Sequence, residues 1–291
     1  MTAAAANRTG ALTALAMVAF AANSLFNKAG FSGGAIDAGS FAILRLISAA
    51  VALAVIATLP GQTRPTRTSG SWLSAGFLFG YAAAFSFAYV ELSVGTGALI
   101  LFAAVQLTML TAALWSGEAI GSYQWLGLAA AFGGLIILLF PGLTAPPVGA
   151  SVLMAMAGIS WGFYSLRGRG SENPLGDTAA NFMRSVPFAL LLAAANAGAI
   201  HLSRLGITFA LLSGILASGI GYTIWYSALR GLSATQAAVV QLTVPIIASV
   251  AGVLLLAEAV TARLGISTVV ILGGVALALL GKNLNPGVEG S

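Results

Sequence analysis

Apolar runs of about 20 residues follow one another along the whole chain, each closed off by a short connection rich in polar, glycine or proline residues. As α-helix such a run rises about 30 Å, the thickness of a bilayer's hydrocarbon core. The pattern predicts helices over 10–29, 38–59, 71–90, 95–116, 121–140, 148–166, 177–198, 204–229, 233–256 and 262–281. The connections carry turn residues, as in PGQTRPTRTSG (60–70), PGLTAPP (141–147) and RGRGSENPLGD (167–177). The expectation is an all-α membrane protein of ten transmembrane helices, with no soluble domain left over. Helices suit that role because each satisfies its own backbone hydrogen bonds in a medium without water.

Composition agrees. Of 291 residues 59% are hydrophobic and 7% charged, too few charges for the surface of an ordinary water-soluble domain. The chain contains no cysteine and one histidine. That excludes disulfides, iron–sulfur clusters and thiolate zinc sites, and leaves no expectation of a metal or other cofactor. The N-terminal MTAAAANRTG runs directly into a full-length span without the short apolar region and cleavage site of a signal peptide, so it is expected to be retained. Asn7 heads an N-R-T sequon, expected to be cytosolic and unmodified.

The net charge of +5 comes from residues scattered over the connections, which argues against a nucleic-acid partner. Their sidedness is more informative. With the N-terminus inside, Arg8, Arg64, Arg67, Arg167, Arg169, Arg230 and Lys282 fall in the cytoplasm and only Lys28, Arg204 and Arg263 outside. The positive-inside rule then predicts both termini in the cytoplasm, and a bacterial inner (plasma) membrane is the expected location.

Comparing the halves reveals a repeat with an offset of about 140: Glu118-Ala119 recurs as Glu258-Ala259, Gly133-Gly134 as Gly273-Gly274, Asp37 as Asp177, and Arg45 as Arg184 with a slip of one. The units are 1–142 and 147–285, five spans each, followed by a short polar tail at 286–291. An odd number of spans makes the second unit insert upside down, around a pseudo-two-fold axis in the membrane plane and a central cavity. QLT at 106–108 and 241–243 breaks this register, so Gln106 and Gln241 are not equivalent; Pro245 stands opposite Val105.

The segment from YSALRGLSATQ to VALALLG (226–281) resembles the second repeat of the drug/metabolite transporter superfamily, EamA type. It shares the small-residue loop after the eighth span, a proline inside the ninth, Glu258 at that helix's end and a Gly-Gly in the tenth. SVGTGALILFAAV, Glu118 and LGLAAAFGGLIILL form a weaker version in the first repeat, without the proline at 105; GISWGFYSL carries a Trp-Gly that AFAANSLFN lacks. The resemblance covers essentially the whole chain and implies an inverted-repeat carrier exporting small metabolites by alternating access. Within the superfamily the chain resembles the YddG-like aromatic amino-acid exporters.

Asp37, Glu91, Glu118, Glu172, Asp177, Glu258 and Glu289 all fall at predicted helix ends or in connections. With no carboxylate at mid-depth, proton coupling through a buried acid is not expected, and facilitated diffusion or exchange is. Asp37 and Asp177 stand where N-caps belong. Arg45 and Arg184, two turns further on, either snorkel to the nearer surface or draw a substrate carboxylate into a cavity.

Aromatic and amide side chains are the candidate substrate-binding set. Tyr81 and Phe85, with Tyr89, make a stripe on the third span, and Tyr222, Trp225 and Tyr226 answer on the eighth, where GYAAAFS is echoed by GYTIWYS. Trp161 and Tyr164 lie one turn apart on the sixth span, Asn23 and Asn27 on the first. Amides are costly in lipid, so the asparagines and Gln106 should face inward. Pro245 is a candidate hinge or a harmless kink.

GISWG (158–162) reads as G-x-S-x-G, a hydrolase nucleophile pattern. In an apolar helix, far from the only histidine, His201, it has no base; Gly158 and Gly162, like Gly76 and Gly80, instead make a G-x-x-x-G packing face. The resulting expectation is no enzyme but a carrier of amino acids, aromatic and other neutral ones, acting as a monomer with a small molecule and the bilayer as partners. Alternatives are an exporter of aromatic organic cations or drugs, another metabolite class, or a channel. A small multidrug-resistance pump would need an embedded glutamate that the first span lacks.

Overall fold

The computed structural model describes residues 3–61, 65–66, 69–115, 121–142, 145–168, 171–232 and 240–281. Arg64, Arg67, Glu118, Arg169, Lys282, Glu289 and the small-residue loop at 233–239 lie outside the described residues.

Long helices make up nearly all of it: α1 Ala3–Phe31, α2 Ala38–Thr58, α3 Trp72–Tyr89, α4 Val94–Trp115, α5 Ser122–Leu139, α6 Val148–Gly168 and α7 Pro174–Ala195. They continue as α8 Arg204–Leu229, α9 Thr243–Leu256 and α10 Ala262–Gly281. Seven of the described helices, α1–α3 and α5–α8, are long and apolar enough to cross a membrane; α4, α9 and α10 carry shorter apolar stretches, Val94–Met109, Thr243–Leu256 and Ala262–Ala278. The chain is a multi-pass membrane protein. Its outward faces bear large apolar side chains such as Leu15, Val51, Leu126, Leu191 and Val269, while serines, asparagines and one arginine are buried. Water would penalise that surface; hydrocarbon does not.

The helix starts follow local chemistry. Asp37 caps α2, its carboxylate accepting from Ser40 N at 2.8 Å, and Ser71 and Ser203 cap α3 and α8. Burial pushes the Asp37 carboxyl up, but hydrogen bonds from His201 N, Ser40 and Asn196 outweigh it and hold it below the ordinary carboxylate value. Asp177 departs from the N-cap role its position suggested. Helix α7 starts three residues earlier, because Asn173 caps it and Pro174 has the φ a first turn needs. The Asp177 carboxylate is thereby free to accept from Gly70 N at 2.9 Å and from the Ser171 hydroxyl.

Each end of the bundle is tied by polar contacts between connections. At one end an isolated bridge pairs Ile36 with Leu202, and Asp37 accepts from His201 N. At the other, Asp177 accepts from Gly70 N, Asn181 accepts from Ser71 N, and Arg184 donates to Ser69 O at 2.7 Å. Helix α2 packs on α7, α4 on α9 and α5 on α10; α6 lies against α3 and α4, and α1 against α8 and α9.

Small residues permit the closest approaches. A Cβ on Gly127 would lie 2.4 Å from Gly274 O, and one on Gly274 would lie 2.6 Å from Ala131 N, so α5 and α10 touch backbone to backbone. Gly158 and Gly162 of GISWG face Leu101, Ala104 and Thr108 of α4 in the same way, and Ser160 faces Gly80 of α3. The expected partner pair differs: Gly76 has open space around it, and a Cβ on Gly80 would meet only Ser160 at an ordinary 3.4 Å, so GFLFG makes no close backbone approach. Pro245 also sits differently from an interior proline. It is the third residue of α9, just after a turn at Leu242, where a missing N–H costs least.

Gly274→Ala should destabilise the fold by about 1–3 kcal/mol, because the added methyl meets backbone that cannot move aside. Gly273→Ala, with nothing within 4 Å, should be neutral or stabilising. Detergent melting curves of the two variants check this; equal effects would disprove the backbone contact.

Candidate functional site

Between α1, α3, α6 and α8 lies a chain of buried polar groups with an aromatic wall. Asn23 on α1 donates to the Tyr81 hydroxyl of α3 at 3.1 Å, and its Oδ1 accepts from the Ser213 hydroxyl of α8 at 2.6 Å. One turn on, Asn27 donates to Asn23 O and to Ser213 Oγ and accepts from the Ser86 hydroxyl at 3.0 Å. Ser213 opens a π-helical stretch, Ser213–Ile220, in which Ser218 donates back to Ser213 O. This wider turn places Ser213 at the network and brings Gly214 against Arg45 O of α2.

Arg45 is 1% exposed. Its Nη2 donates to the Tyr81 hydroxyl at 2.9 Å, and its guanidinium lies over two rings, 4.9 Å from the Tyr81 centroid and 5.0 Å from that of Phe85. Of the two readings the sequence allowed, snorkelling is therefore excluded for Arg45. Arg184 instead reaches Ser69 O in the α2–α3 connection.

Two cavities face this region. A small one of about 20 Å³, room for about one water, is lined by Phe20, Asn23, Ser24, Tyr81, Phe85, Leu101, Phe102, Trp161, Ala217 and Tyr222. A larger, polar one of about 210 Å³ opens at the Asp177 end, walled by Ser71, Ser74, Tyr164, Arg167, Asp177, Thr178, Asn181 and Tyr226. Trp161 joins them: its ring centroid is 4.9 Å from that of Tyr81, 5.3 Å from Tyr222 and 5.4 Å from Tyr164. Beyond the small cavity, towards the Asp37 end, the path is filled. Tyr89 is fully buried and donates to Val94 O, Lys28 donates to Tyr89 O and Val90 O, and Glu258 accepts from Val94 N at 2.9 Å.

Of the residues singled out from sequence, Asn23, Tyr81, Phe85, Trp161 and Tyr222 converge on the small cavity, and Tyr164 and Tyr226 on the polar one. Trp225 is buried with its ring edge-on to Phe20 at 5.8 Å and lines neither cavity; Gln106 is buried on α4 and also lines neither. Sequence reasoning passed over Phe20, three residues before Asn23 and so on its face, and Asn181, four after Asp177. Ser213 carried no such signal, because its position depends on the π-helical turn.

Ser160 has no catalytic setting. It packs within α6 towards Gly80, whereas His201 sits in the α7–α8 connection at the Asp37 end. Among the described residues no group of three or more His, Cys, Asp or Glu is placed to hold a metal ion.

The EamA-like transporter family matches the chain twice, over residues 8–140 and 149–280. An uncharacterized protein of Pseudomonas aeruginosa is 52% identical over 273 residues, 94% of either chain. A crystal structure of a protein 19% identical superposes with a TM-score of 0.63 over 93% of this chain and 98% of the other, a likeness of fold alone.

Tyr81→Phe should remove the one hydroxyl that bridges Arg45 and Asn23. Leaving those donors unpaired in a buried setting should cost about 1–3 kcal/mol, read as a lowered melting temperature, more than the same change at Tyr226, whose hydroxyl accepts from the Thr178 hydroxyl beside the open polar cavity.

Proposed function

The chain belongs to the EamA-like transporter family, and from that premise we propose that it exports small metabolites, foremost aromatic and other neutral amino acids, across a bacterial inner membrane by alternating access. The observation that carries this reading is the position of Trp161. It stands between a polar cavity open at one end of the bundle and a nearly closed aromatic pocket, with the far end filled. That is the layout of a carrier at rest on one side of its cycle, with the path narrowed at an aromatic ring. Asn23, Tyr81, Phe85, Trp161 and Tyr222 would hold the solute, and Tyr164 and Tyr226 would receive it at the polar mouth. Ring contacts of this kind are worth about 0.5–1.5 kcal/mol each. Gln106 and Trp225 line neither cavity and fall outside this binding set.

Helix contacts support two inverted five-helix units, 1–142 and 147–285, ten spans in all. Exchanging each helix for the one five places away turns α3 on α6 into α8 on α1, and α4 on α6 into α9 on α1; α2 with α7, α4 with α9 and α5 with α10 map onto themselves. Residue pairs obey the same rule: shifting Gly134 against Ile271 by 140 in opposite directions yields Gly274 against Ala131. With both termini in the cytoplasm, the polar cavity faces the cell interior, bordered by Arg167. One chain encloses the pathway, so a monomer suffices.

The carboxylates described, Asp37, Glu91, Glu172, Asp177 and Glu258, lie at helix ends or connections, which supports transport without obligatory proton coupling. Pro245, beside the turn at Leu242, is placed to let α9 swing as the far end opens.

Liposomes containing the purified protein should show saturable counterflow of labelled phenylalanine and tryptophan that is indifferent to a pH gradient. In Trp161→Ala that counterflow should fall at least about tenfold at unchanged membrane expression, the loss of a few ring contacts. Absence of counterflow by folded protein would overturn the amino-acid reading, and strict dependence on the gradient would overturn the coupling.

A further inference from the structure

Arg45 lies eight residues beyond its helix cap, about 12 Å along α2 and near mid-depth of a membrane about 30 Å thick. A guanidinium offers five N–H donors. Here Nη2 reaches Tyr81, while Nε and Nη1 are buried without any hydrogen-bond partner. Among the described residues no carboxylate lies within ion-pair distance of it; Asp37 is held at the surface by His201 and Ser40, and Glu258 by Val94.

A buried charge without a counter-ion is strongly unfavourable, and two ring faces at about 5 Å offset only part of that cost. The equivalent arginine of the second repeat shows the usual remedy, since Arg184 bonds a carbonyl at the surface. Arg45 keeps its unpaired nitrogens beside Tyr81 and Phe85, which are also walls of the small cavity that Trp161 closes.

We infer that Arg45 is the anchor for a carboxylate group of the transported solute, so that the substrate class is monocarboxylates with an aromatic or apolar body. The solute supplies the missing counter-ion. Its carboxylate accepts from the free guanidinium donors, its apolar part lies among Phe20, Trp161 and Tyr222, and in a zwitterion the ammonium group takes the amide oxygen side of Asn23 and Ser213. A permanently cationic solute would meet a like charge in the pocket and is excluded. The inference deepens the carrier reading above and rests on that site, but it does not require the solute to be an amino acid.

The test is a comparison of 3-phenylpropionate with its neutral isostere 3-phenylpropionamide, and of L-phenylalanine with L-phenylalaninamide, as ligands of the purified full-length protein. Binding is read as a concentration-dependent rise in melting temperature. The acids should bind about tenfold to a hundredfold more tightly than the amides, the range for a hydrogen bond to a charged partner. In Arg45→Gln acid and amide should become equal, while Arg45→Lys should keep a reduced preference for the acid. Equal binding of acid and amide by the wild-type chain would overturn the inference whether or not any variant folds. So would acid preference that survives Arg45→Gln, or the absence of stabilisation by every acid. Acid-selective, Arg45-dependent binding without counterflow of amino acids would uphold the anchor and reject amino acids as the cargo.

Discussion

Polar groups inside the hydrocarbon layer have no water to turn to, and this constraint organises the whole interior. Asn23, Asn27, Ser86 and Ser213 come from three helices far apart in sequence and bond one another, with Tyr81 as a further partner of Asn23. Joining them fixes how α1, α3 and α8 face one another. The aromatic rings then stack around a centre already set by hydrogen bonds, and Trp161 is left touching three of them. Arg45 departs from this pattern, a buried charge whose donors are satisfied only in part.

Helix association in lipid lacks a strong hydrophobic drive, so packing depends on how closely backbones approach. Gly127 and Gly274 let α5 and α10 touch, and Gly158 and Gly162 seat α6 on α4. The α5–α10 contact lies away from the two cavities, whereas the α6–α4 contact borders the small one, through Leu101. The aromatic pocket is bordered by α1, α3, α6 and α8, which meet there through rings and hydroxyls, and by Leu101 and Phe102 of α4. Ser213–Ile220 adds a widened turn on one side only of the pocket. The two family-matched halves differ in detail: Arg45 is enclosed, whereas Arg184 reaches a connection.

Much of this was legible in the chain. A run of some 20 apolar residues has one stable form in a membrane, so most helix boundaries could be read off within a few residues, but α1 starts at Ala3 rather than 10 and α9 at Thr243 rather than 233. Asp37 as a cap was equally local. Asp177 was misread because the competing cap, Asn173 with Pro174 behind it, draws the helix start back one turn. Tyr81 and Phe85 on one stripe, and Trp161 with Tyr164, were visible as inward faces because three- or four-residue spacing keeps side chains on one side of a helix. What the spacing cannot say is which cavity a face meets, and Trp225, on the same helix as Tyr222, lies outside both.

By itself, then, the sequence determined the class of protein, the helices, the inward faces of α1, α3, α6 and α8, and membership of a transporter family. These follow from hydropathy and short-range periodicity, which act within one helix. Tertiary structure alone decided that Asn23, Tyr81 and Ser213 form one network, that Gly274 meets backbone while Gly273 has open space, and that Arg45 stays in the interior with donors to spare. Each of those depends on the approach of helices separated by tens of residues, where the loss of solvent by one side chain is set by its neighbours and not by its own place in the chain.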